Sequence, residues 1–394
     1  MSRQTISSVV LFLSVLLCLS TNSYASGNTL PKLSDKALVS IVTCSATPDY
    51  EGGFGHSSLR IQDAELKIDV VFNFGTYSTQ QSFFVYKIFL GTVISSLDGE
   101  AFSKFAHRYK TEKRGMNEYY LNLSQQQKQS LWEELNRILL TGERFYKFKV
   151  PTNNCSTQLR DVLFKQCGWD KSQFLNQYTG RTYRDVEQGD PLENCWLHLL
   201  FNLTCSDIDK EINIYEAAFN PNGLINLLSE VRQDDQPVLM ASHRLFPPTL
   251  FKQSPNVKLS LSTFLILLII ASILTYLQVK KGRYYIWFDR ILLFISGIFG
   301  CFLFSLVLFS EIEQLRTNYN LFWALPTNLI LAFILKKNNP KWVKVWIQLT
   351  CISFLLFPVA AIVGGQYIPT EAYLFTATLL ISMLPYAISK RKVL

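Results

Sequence analysis

The run Pro151-Thr152-Asn153-Asn154-Cys155-Ser156-Thr157-Gln158-Leu159-Arg160 contains a cysteine at the point where a loop gives way to a helix. Turn-forming residues precede Cys155, and apolar residues follow it at helical spacing, at Leu159, Val162 and Leu163. A thiol at a helix start feels the positive end of the helix dipole and free backbone N–H groups, which favour the thiolate. Cys155 is therefore predicted to be a nucleophile, with a buried structural thiol as the alternative.

A histidine lies upstream in Phe54-Gly55-His56-Ser57-Ser58-Leu59-Arg60-Ile61, where a glycine turn opens a strand pattern. A thiolate nucleophile needs such a base, and a cysteine–histidine pair is the minimal site of a cysteine hydrolase or acyltransferase. Three other histidines are candidate bases. His107 lies in a polar helical stretch, His198 in an apolar run, and His243 in a loop before the membrane-length segments. Because none of them follows a glycine at a strand start, His56 is the predicted base.

Two asparagines are predicted to assist this pair. Asn73 lies on the strand expected to pair with the histidine strand, where it can orient the imidazole; the alternative is a turn asparagine before Gly75. Asn154 can stabilise an oxyanion together with the backbone N–H of Cys155. An ordinary helix cap is an equally good interpretation of Asn154.

Short β-rich runs surround the histidine and predict an α+β exported domain. The predicted strands are Ala37–Cys44, His56–Gln62, Ile68–Phe74, Met116–Leu123 and Tyr146–Val150. Ser124 with Gln127 predicts a capping box at the start of an amphipathic helix. The stretch from about Ser172 to Lys258 is less patterned and is predicted to be a helical and loop extension.

The two ends of the chain predict export and membrane insertion. Arg3, an apolar run over Val9–Leu19 and Ser23-Tyr24-Ala25 indicate a signal peptide over residues 1–25, followed by an exported domain over 26–258. Residues 259–394 are predicted to form a transmembrane domain with five helices, because five apolar stretches there are of membrane length. These stretches are Leu259–Val279, Ile291–Phe309, Tyr319–Leu335, Val345–Val363 and Thr370–Ser389.

The distribution of charge agrees with this topology. Basic residues concentrate in the loops predicted to be cytoplasmic, at 280–283, 336–344 and 390–392, whereas the external loops contain Glu311, Glu313, Arg316 and Glu371. The net charge of +8 arises in the membrane half, since residues 26–258 contain 25 basic and 26 acidic residues. Nucleic acid is therefore excluded as a partner. The predicted location is the inner (cytoplasmic) membrane of a bacterium, with the N-terminal domain in the periplasm.

The exported domain has five cysteines, so at least one thiol stays free in an oxidising compartment. If that thiol is Cys155, two disulfides can form among Cys44, Cys167, Cys195 and Cys205, and the closeness of Cys195 and Cys205 favours them as a pair. The alternative is that all five are reduced. No Cys or His pair has the spacing of a zinc site, so neither a metal nor a cofactor is predicted.

At the external end of the third predicted span, Asn320 and Trp323 are candidate substrate-binding residues. Polar residues in a membrane segment face the protein interior or lipid headgroups. The alternative is an interfacial loop in which Trp323 is an aromatic anchor.

The motifs, taken in order, resemble the Lnb N-terminal periplasmic domain family over roughly 39–163. They are Thr43-Cys44, the Phe54–Arg60 and Phe72–Tyr77 runs, Arg144–Phe148 and Asn153–Thr157; the loop Asn318–Pro326 resembles the external loop of the same family's membrane domain. That family is similar to circularly permuted papain-like thiol hydrolases of the NlpC and lecithin:retinol acyltransferase type. In those proteins the histidine strand precedes the cysteine helix, as it does here.

The resemblance implies a lipoprotein N-acyltransferase. The acyl donor would be a phospholipid, the acceptor the N-terminal amine of a diacylated lipoprotein, and the intermediate a thioester on Cys155. Two alternatives use the same residues differently: a periplasmic cysteine hydrolase (a peptidoglycan peptidase or amidase, a phospholipase or a thioesterase), and a non-catalytic membrane module. The sequence does not predict an oligomeric state.

Overall fold

A computed structural model describes residues 30–46, 55–187, 195–247 and 257–388. The predicted signal peptide, the glycine-rich loop before Gly55 and the basic C-terminus lie outside the described residues. From Ser34 onwards the chain forms one compact unit that contains both the sheet domain and the membrane helices.

The strands of the first domain are short, and five of the eleven in the described residues lie close to predicted positions. They are β1 Leu38–Cys44, β2 His56–Asp63, β3 Ile68–Thr76, β4 Val93–Ala101, β5 Met116–Leu121, β6 Phe145–Phe148, β7 Tyr178–Thr182, β8 Glu211–Asn213, β9 Arg232–Gln233, β10 Gln236–Pro237 and β11 Leu239–Phe246. Seven of them form one antiparallel sheet in the order β11-β5-β1-β2-β3-β4-β6. The α+β prediction is confirmed.

Helices cover this sheet and continue into the membrane region. In the sheet domain they are α1 Phe84–Leu90, α2 Phe102–Thr111, α3 Gln125–Leu140, α4 Cys155–Cys167, α5 Ser172–Leu175, α6 Tyr183–Glu187, α7 Cys195–Thr204, α8 Ile214–Ala217 and α9 Pro221–Glu230. In the C-terminal region they are α10 Val257–Lys281, α11 Ile286–Phe309, α12 Thr327–Ile334, α13 Lys341–Val363 and α14 Thr370–Ile388.

Successive side chains of each strand point to opposite faces of the sheet, and different helices pack on the two faces. On one face, Phe72 of β3 packs edge-to-face against Trp132 of α3, and Ser57 of β2 meets Ser156 of α4 with hydroxyl oxygens 3.0 Å apart. On the other face, α2 covers a buried cluster formed by Val42, Cys44, Val71, Phe105, Tyr109 and Met116. His56 stacks on Tyr109, so it lies on the α2 face while α4 approaches from the opposite side.

Strand β11 corrects the prediction of a purely helical and loop extension after residue 172. It pairs with β5 at the edge of the sheet, with two register shifts. Most of its side chains are exposed. An edge strand that buries neither face has no alternation of apolar and polar residues, which explains why the sequence pattern did not reveal it.

The prediction of five transmembrane helices is not confirmed. Within residues 257–388, four helices are long and apolar enough to cross a membrane: α10, α11, α13 and α14. The third predicted span instead consists of a 3-10 turn at Tyr319–Phe322 and the eight-residue helix α12. Hydropathy detects how apolar a segment is, not whether its helix is continuous.

The interrupted segment nevertheless packs along α11 from Gly300 back to Arg290. A Cβ added to Gly300 would lie 2.1 Å from the backbone oxygen of Ala324, and one added to Gly297 would lie 2.3 Å from the Leu329 nitrogen. At the other end of α11, Arg290 Nη2 donates to the Leu335 carbonyl at 2.7 Å. Non-helical backbone is tolerated at membrane depth when protein buries it, and here the two glycines allow that close contact.

The disulfide prediction is corrected. No disulfide joins any two of the seven cysteines in the described residues, which are Cys44, Cys155, Cys167, Cys195, Cys205, Cys301 and Cys351. Cys195 begins α7 and Cys205 directly follows it, with the Cys205 N–H still bonded to the Phe201 carbonyl. Ten helical residues separate Cα atoms by roughly 15 Å, whereas a disulfide needs less than about 7 Å.

Candidate active site

Cys155 is the first residue of α4, as predicted, and Asn154 caps that helix. Asn154 Oδ1 accepts from the N–H groups of Ser156 and Thr157 at 2.9 and 3.0 Å, and Thr157 Oγ1 accepts from the Asn154 N–H at 2.7 Å. This capping box leaves the N–H of Cys155 out of the cap. The Cys155 thiol therefore lies at the positive end of the helix, beside an N–H group that an oxyanion can use.

The side chain of Asn154 is fully engaged within the protein. Its Nδ2 donates to the backbone carbonyls of Val150 and of Phe219, the latter at 2.8 Å. Of the two roles predicted for Asn154, the geometry shows the helix cap. An oxyanion contact from this amide would have to replace one of those two bonds.

His56 begins β2, and Asn73 of β3 orients its ring. His56 Nε2 is hydrogen-bonded to Asn73 Oδ1, which also accepts from Ser58 Oγ at 3.3 Å. The ring stacks nearly parallel to Tyr109, with centroids 6.2 Å apart. With Nε2–H donated to Asn73, Nδ1 is the nitrogen left to accept a proton from the thiol.

Several effects compete at the Cys155 thiol. Burial alone raises its pKa, but the positive charge of His56 and a hydrogen bond with the His56 ring lower it, as do bonds from the Ser57 backbone N–H and the Ser156 hydroxyl. The net result is a pKa of about 7, below the ordinary value of 9.0. Cys155 is thus the type of low-pKa thiol that reactive cysteines require.

Gly75 provides the space in which these groups meet. Its φ is +93°, in the region that favours glycine, and a Cβ built there would lie 3.3 Å from Cys155 Cβ and 3.8 Å from His56 Cε1. A side chain at position 75 would both strain the turn and press on the pair. Sequence analysis quoted Gly75 within a motif but did not assign it this role.

Two further residues border the site and were not predicted. Tyr109 supplies the ring beneath His56. The Tyr146 hydroxyl, on β6 opposite Ser95, is buried. Burial raises the Tyr146 pKa, and the nearby charge of Cys155 adds to the effect, so this residue stays a neutral donor. The only local signal for either tyrosine was membership of an aromatic run.

Comparison with known families agrees with this architecture. Residues 31–188 match the Lnb N-terminal periplasmic domain, and residues 254–392 match the Lnb transmembrane domain. The chain belongs to the Lnb family. No curated protein and no solved structure matches it significantly. The relationship to NlpC-type thiol hydrolases remains a prediction.

As a member of the Lnb family, the protein is a membrane protein with a periplasmic domain. Hydrogen bonds join the two parts. Asn318 and Asn320 donate their Nδ2 groups to the Leu203 carbonyl at the end of α7, at 2.8 and 3.0 Å. On the far side of the sheet domain, Lys147 Nζ lies 2.5 Å from Glu311 Oε1, just beyond α11. The site is therefore held next to the membrane helices.

The predicted substrate-binding residues Asn320 and Trp323 are both buried. Trp323 Nε1 donates to Asn320 Oδ1 at 2.9 Å, so the polar groups of both side chains are already used within the protein. The Trp323 ring stacks on Phe299 and meets Phe375 edge-on. These contacts join the outer ends of the membrane helices to α7.

The other histidines lie apart from Cys155. His107 on α2 and His243 on β11 are exposed. His198 on α7 is bonded to Asn202, and burial lowers its pKa. Among the described residues, no group of three or more His, Cys, Asp or Glu side chains could hold a metal ion.

Proposed function

We propose that the protein is a membrane-bound, cysteine-dependent acyltransferase that moves an acyl chain from a phospholipid to the N-terminal amine of diacylated lipoproteins. The observation that carries the proposal is the Cys155–His56–Asn73 arrangement. A thiol with a lowered pKa, a base and a group that orients the base are the parts of a cysteine nucleophile. Family membership and the attachment of the site to membrane helices support a lipid as the acyl donor.

In the first half-reaction, His56 Nδ1 takes the thiol proton and the Cys155 sulfur attacks the ester carbonyl of the phospholipid. The N–H of Cys155 donates to the developing oxyanion. The ester C–O bond then breaks, and His56 returns its proton to the leaving alkoxide. A lysophospholipid leaves, and the acyl chain remains as a thioester.

In the second half-reaction, the amine of the lipoprotein attacks the thioester carbonyl. His56 accepts a proton from the amine as the C–S bond breaks, and the proton returns to the sulfur. The products are an amide and the free thiol, so no external proton, metal or redox cofactor is consumed. In this proposal the domain over 26–258 is periplasmic, the signal peptide over 1–25 is removed, and residues 259–394 lie in the inner membrane.

The thioester gives a direct test. Purified protein incubated with phospholipid carrying a labelled acyl chain, without acceptor, is expected to acquire label that hydroxylamine removes. Adding a diacylated lipopeptide with a free N-terminal amine should transfer the label to the peptide as an amide. Cys155→Ala should abolish labelling, whereas Cys301→Ala, an exposed cysteine on α11, should leave it unchanged.

The same experiment separates the alternatives. A phospholipase would release labelled fatty acid whether or not the acceptor is present. A peptidoglycan peptidase would acquire no lipid label, and neither would a non-catalytic module. Absence of hydroxylamine-sensitive label on the folded wild-type protein would overturn the proposal.

A further inference from the structure

Helix α1 of the sheet domain presents apolar side chains that no described residue covers. Phe83, immediately before the helix, is 81% exposed, and Val85 in its first turn is 52% exposed. Adjacent large apolar side chains at this exposure are unfavourable in water and indicate a surface that contacts something else. Lys87 on the same helix forms no ion pair among the residues described.

The backbone at Phe83 is strained to hold its ring outward. Its φ of 57° and ψ of 33° are in the left-handed region, which bulky L-residues rarely adopt. This conformation is unfavourable for a residue with a Cβ. No side-chain hydrogen bond caps the helix at this position and offsets that cost.

Helix α1 is attached to the outer end of a membrane-spanning helix. The Tyr86 hydroxyl lies 3.0 Å from Ser305 Oγ, and Ser310 Oγ donates to the Phe89 carbonyl at 2.8 Å. Since α11 ends at Phe309, Ser305 lies roughly 6 Å inside the helix end. These contacts place α1 at the level where the outer leaflet meets water.

The surroundings of α1 match a lipid partner better than a protein. The end of α11 next to it is itself lipid-facing, with Phe304 and Phe309 both exposed. Exposed aromatic and aliphatic side chains accompanied by an unpaired lysine are typical of segments that lie in a membrane interface. The exposed side of α1 therefore lies next to the exposed apolar end of a helix that is long and apolar enough to cross a membrane.

Aromatic side chains connect α1 to the site. Phe84 packs against Tyr77 at 5.5 Å, and Tyr77 packs edge-on against Phe148 at 5.4 Å. Tyr77 follows Gly75 by two residues, and Gly75 lies against Cys155. Packed aromatic rings thus connect α1 with the turn that lies against the thiol.

We propose that Phe83 and Val85 insert into the outer leaflet of the phospholipid bilayer, and that a lipid acyl chain leaves the bilayer along α1 to reach Cys155. The second half of this statement rests on the proposed acyltransferase function; the first half does not. Insertion would surround the exposed side of α1 with lipid acyl chains. It would thereby lower the free-energy barrier for one acyl chain to move from the bilayer to the Cys155 thiol.

Photo-crosslinking tests insertion without reference to activity. The full-length protein in phospholipid vesicles would contain p-benzoylphenylalanine in place of Phe83, with mass spectrometry of the products. Phe304 on α11 serves as the lipid-facing control and Leu140 as the water-facing one, since it is 79% exposed at the end of α3. Phospholipid adducts are expected at positions 83 and 304 but not at 140. Adducts at 304 without any at 83, or adducts to another protein at 83, would overturn the proposal.

The role in substrate entry needs a second measurement. Phe83→Asp is expected to lower the rate of acyl labelling of Cys155 from vesicles by about ten-fold or more, because burial of a phenyl ring in lipid is lost. Alkylation of Cys155 by water-soluble iodoacetamide should not change, and Leu140→Asp should affect neither rate. Equal lipid labelling of Phe83→Asp and wild type would refute the entry route. A wild-type protein that takes up no lipid label would instead refute the acyltransferase proposal, leaving the crosslinking result independent.

Discussion

At Cys155, burial and electrostatics act in opposite directions on one proton. Burial disfavours the thiolate, while the His56 charge and three hydrogen bonds favour it, and the pKa settles at about 7. Cys44 provides an internal contrast. It lies opposite His56 in the β1–β2 register, yet burial raises the pKa of its thiol well above the ordinary value. Cys155 therefore differs from the neighbouring thiol in charge state and not merely in position.

This contrast predicts a pH profile for alkylation. A thiol reacts as its thiolate. The alkylation rate of Cys155 should therefore be low at acidic pH and rise with pH, with a midpoint near pH 7. In His56→Ala the favourable charge and hydrogen bond are lost while burial remains, so the midpoint should move above 9. Iodoacetamide labelling followed by peptide mass spectrometry measures both, and His107→Ala on the exposed side of α2 is the control. An unchanged midpoint in His56→Ala would show that the two residues are not coupled.

Gly75→Ala is expected to reduce acyl labelling of Cys155 by about 100-fold or more, since displacements of about 1 Å at a reacting group have effects of this size. The new Cβ would press on Cys155 Cβ from 3.3 Å. Gly180→Ala is the matched control, because Gly180 also has positive φ, +69°, but a Cβ there meets no atom within 4 Å. Equal losses in the two variants would attribute the effect to backbone strain alone.

At the scale of elements, the interrupted third segment depends on its contacts with α11. Asn328 of α12 donates its Nδ2 to the Trp323 carbonyl and to Ser296 Oγ, each at 3.0 Å. The first bond satisfies a backbone group that the break in the helix would leave unpaired. Gly297 and Gly300 let the two backbones come close enough for such bonds to form.

Substitution of Gly300 should therefore destabilise the membrane region. In Gly300→Val, the added atoms would overlap the Ala324 backbone, which cannot turn aside as a side chain could. A loss of about 3 kcal/mol or more in the free energy of unfolding is expected, at the upper end of overpacking costs. Thermal unfolding in detergent measures the loss, and Cys301→Val on the exposed side of the same helix should be nearly neutral. A stable Gly300→Val protein would contradict the close packing.

For the whole molecule, the path of the chain is compatible with loops on alternate sides of the membrane. Arg290, at the start of α11, bonds to the Leu335 carbonyl just beyond α12, so the interrupted segment ends beside the opposite end of α11 from the sheet domain. Five crossings are thus compatible with only four long helices. The contacts of the sheet domain with Glu311, Asn318 and Asn320 fix the outer side.

Reporter fusions test this topology. A periplasm-active reporter should be active after Glu313 and Gln366 and inactive after Lys337 and Lys390. The fusion after Lys337 decides the third segment, because a segment that re-entered the outer side would leave this fusion active. Activity after Lys337 and Lys390 but not after Glu313 and Gln366 would reverse the orientation and remove the site from the outer leaflet.

Local interactions determined much of the fold in advance. The cap at Asn154, the capping box of Ser124 and Gln127, and the first three strands each depend on residues close in sequence, and all appear in the structure. The pairing of His56 with Cys155 could be suggested because a nucleophile needs a base. The predicted disulfide between Cys195 and Cys205 was wrong because ten residues in a helix extend over roughly 15 Å, which is too far for a disulfide.

The sequence by itself determined the capped helix that begins at Cys155, the strand that begins at His56 and four long membrane segments, because these follow from capping, strand patterning and hydropathy. Only the tertiary structure decided the edge strand β11, the interrupted helix and the roles of Gly75 and Phe83. Each of these depends on a contact with a distant part of the chain. Strand β11 pairs with β5, the interrupted helix packs on the backbone of α11, Gly75 lies against Cys155, and the helix after Phe83 contacts α11. Such contacts leave no periodic pattern along the chain, so they can be identified only in the folded structure.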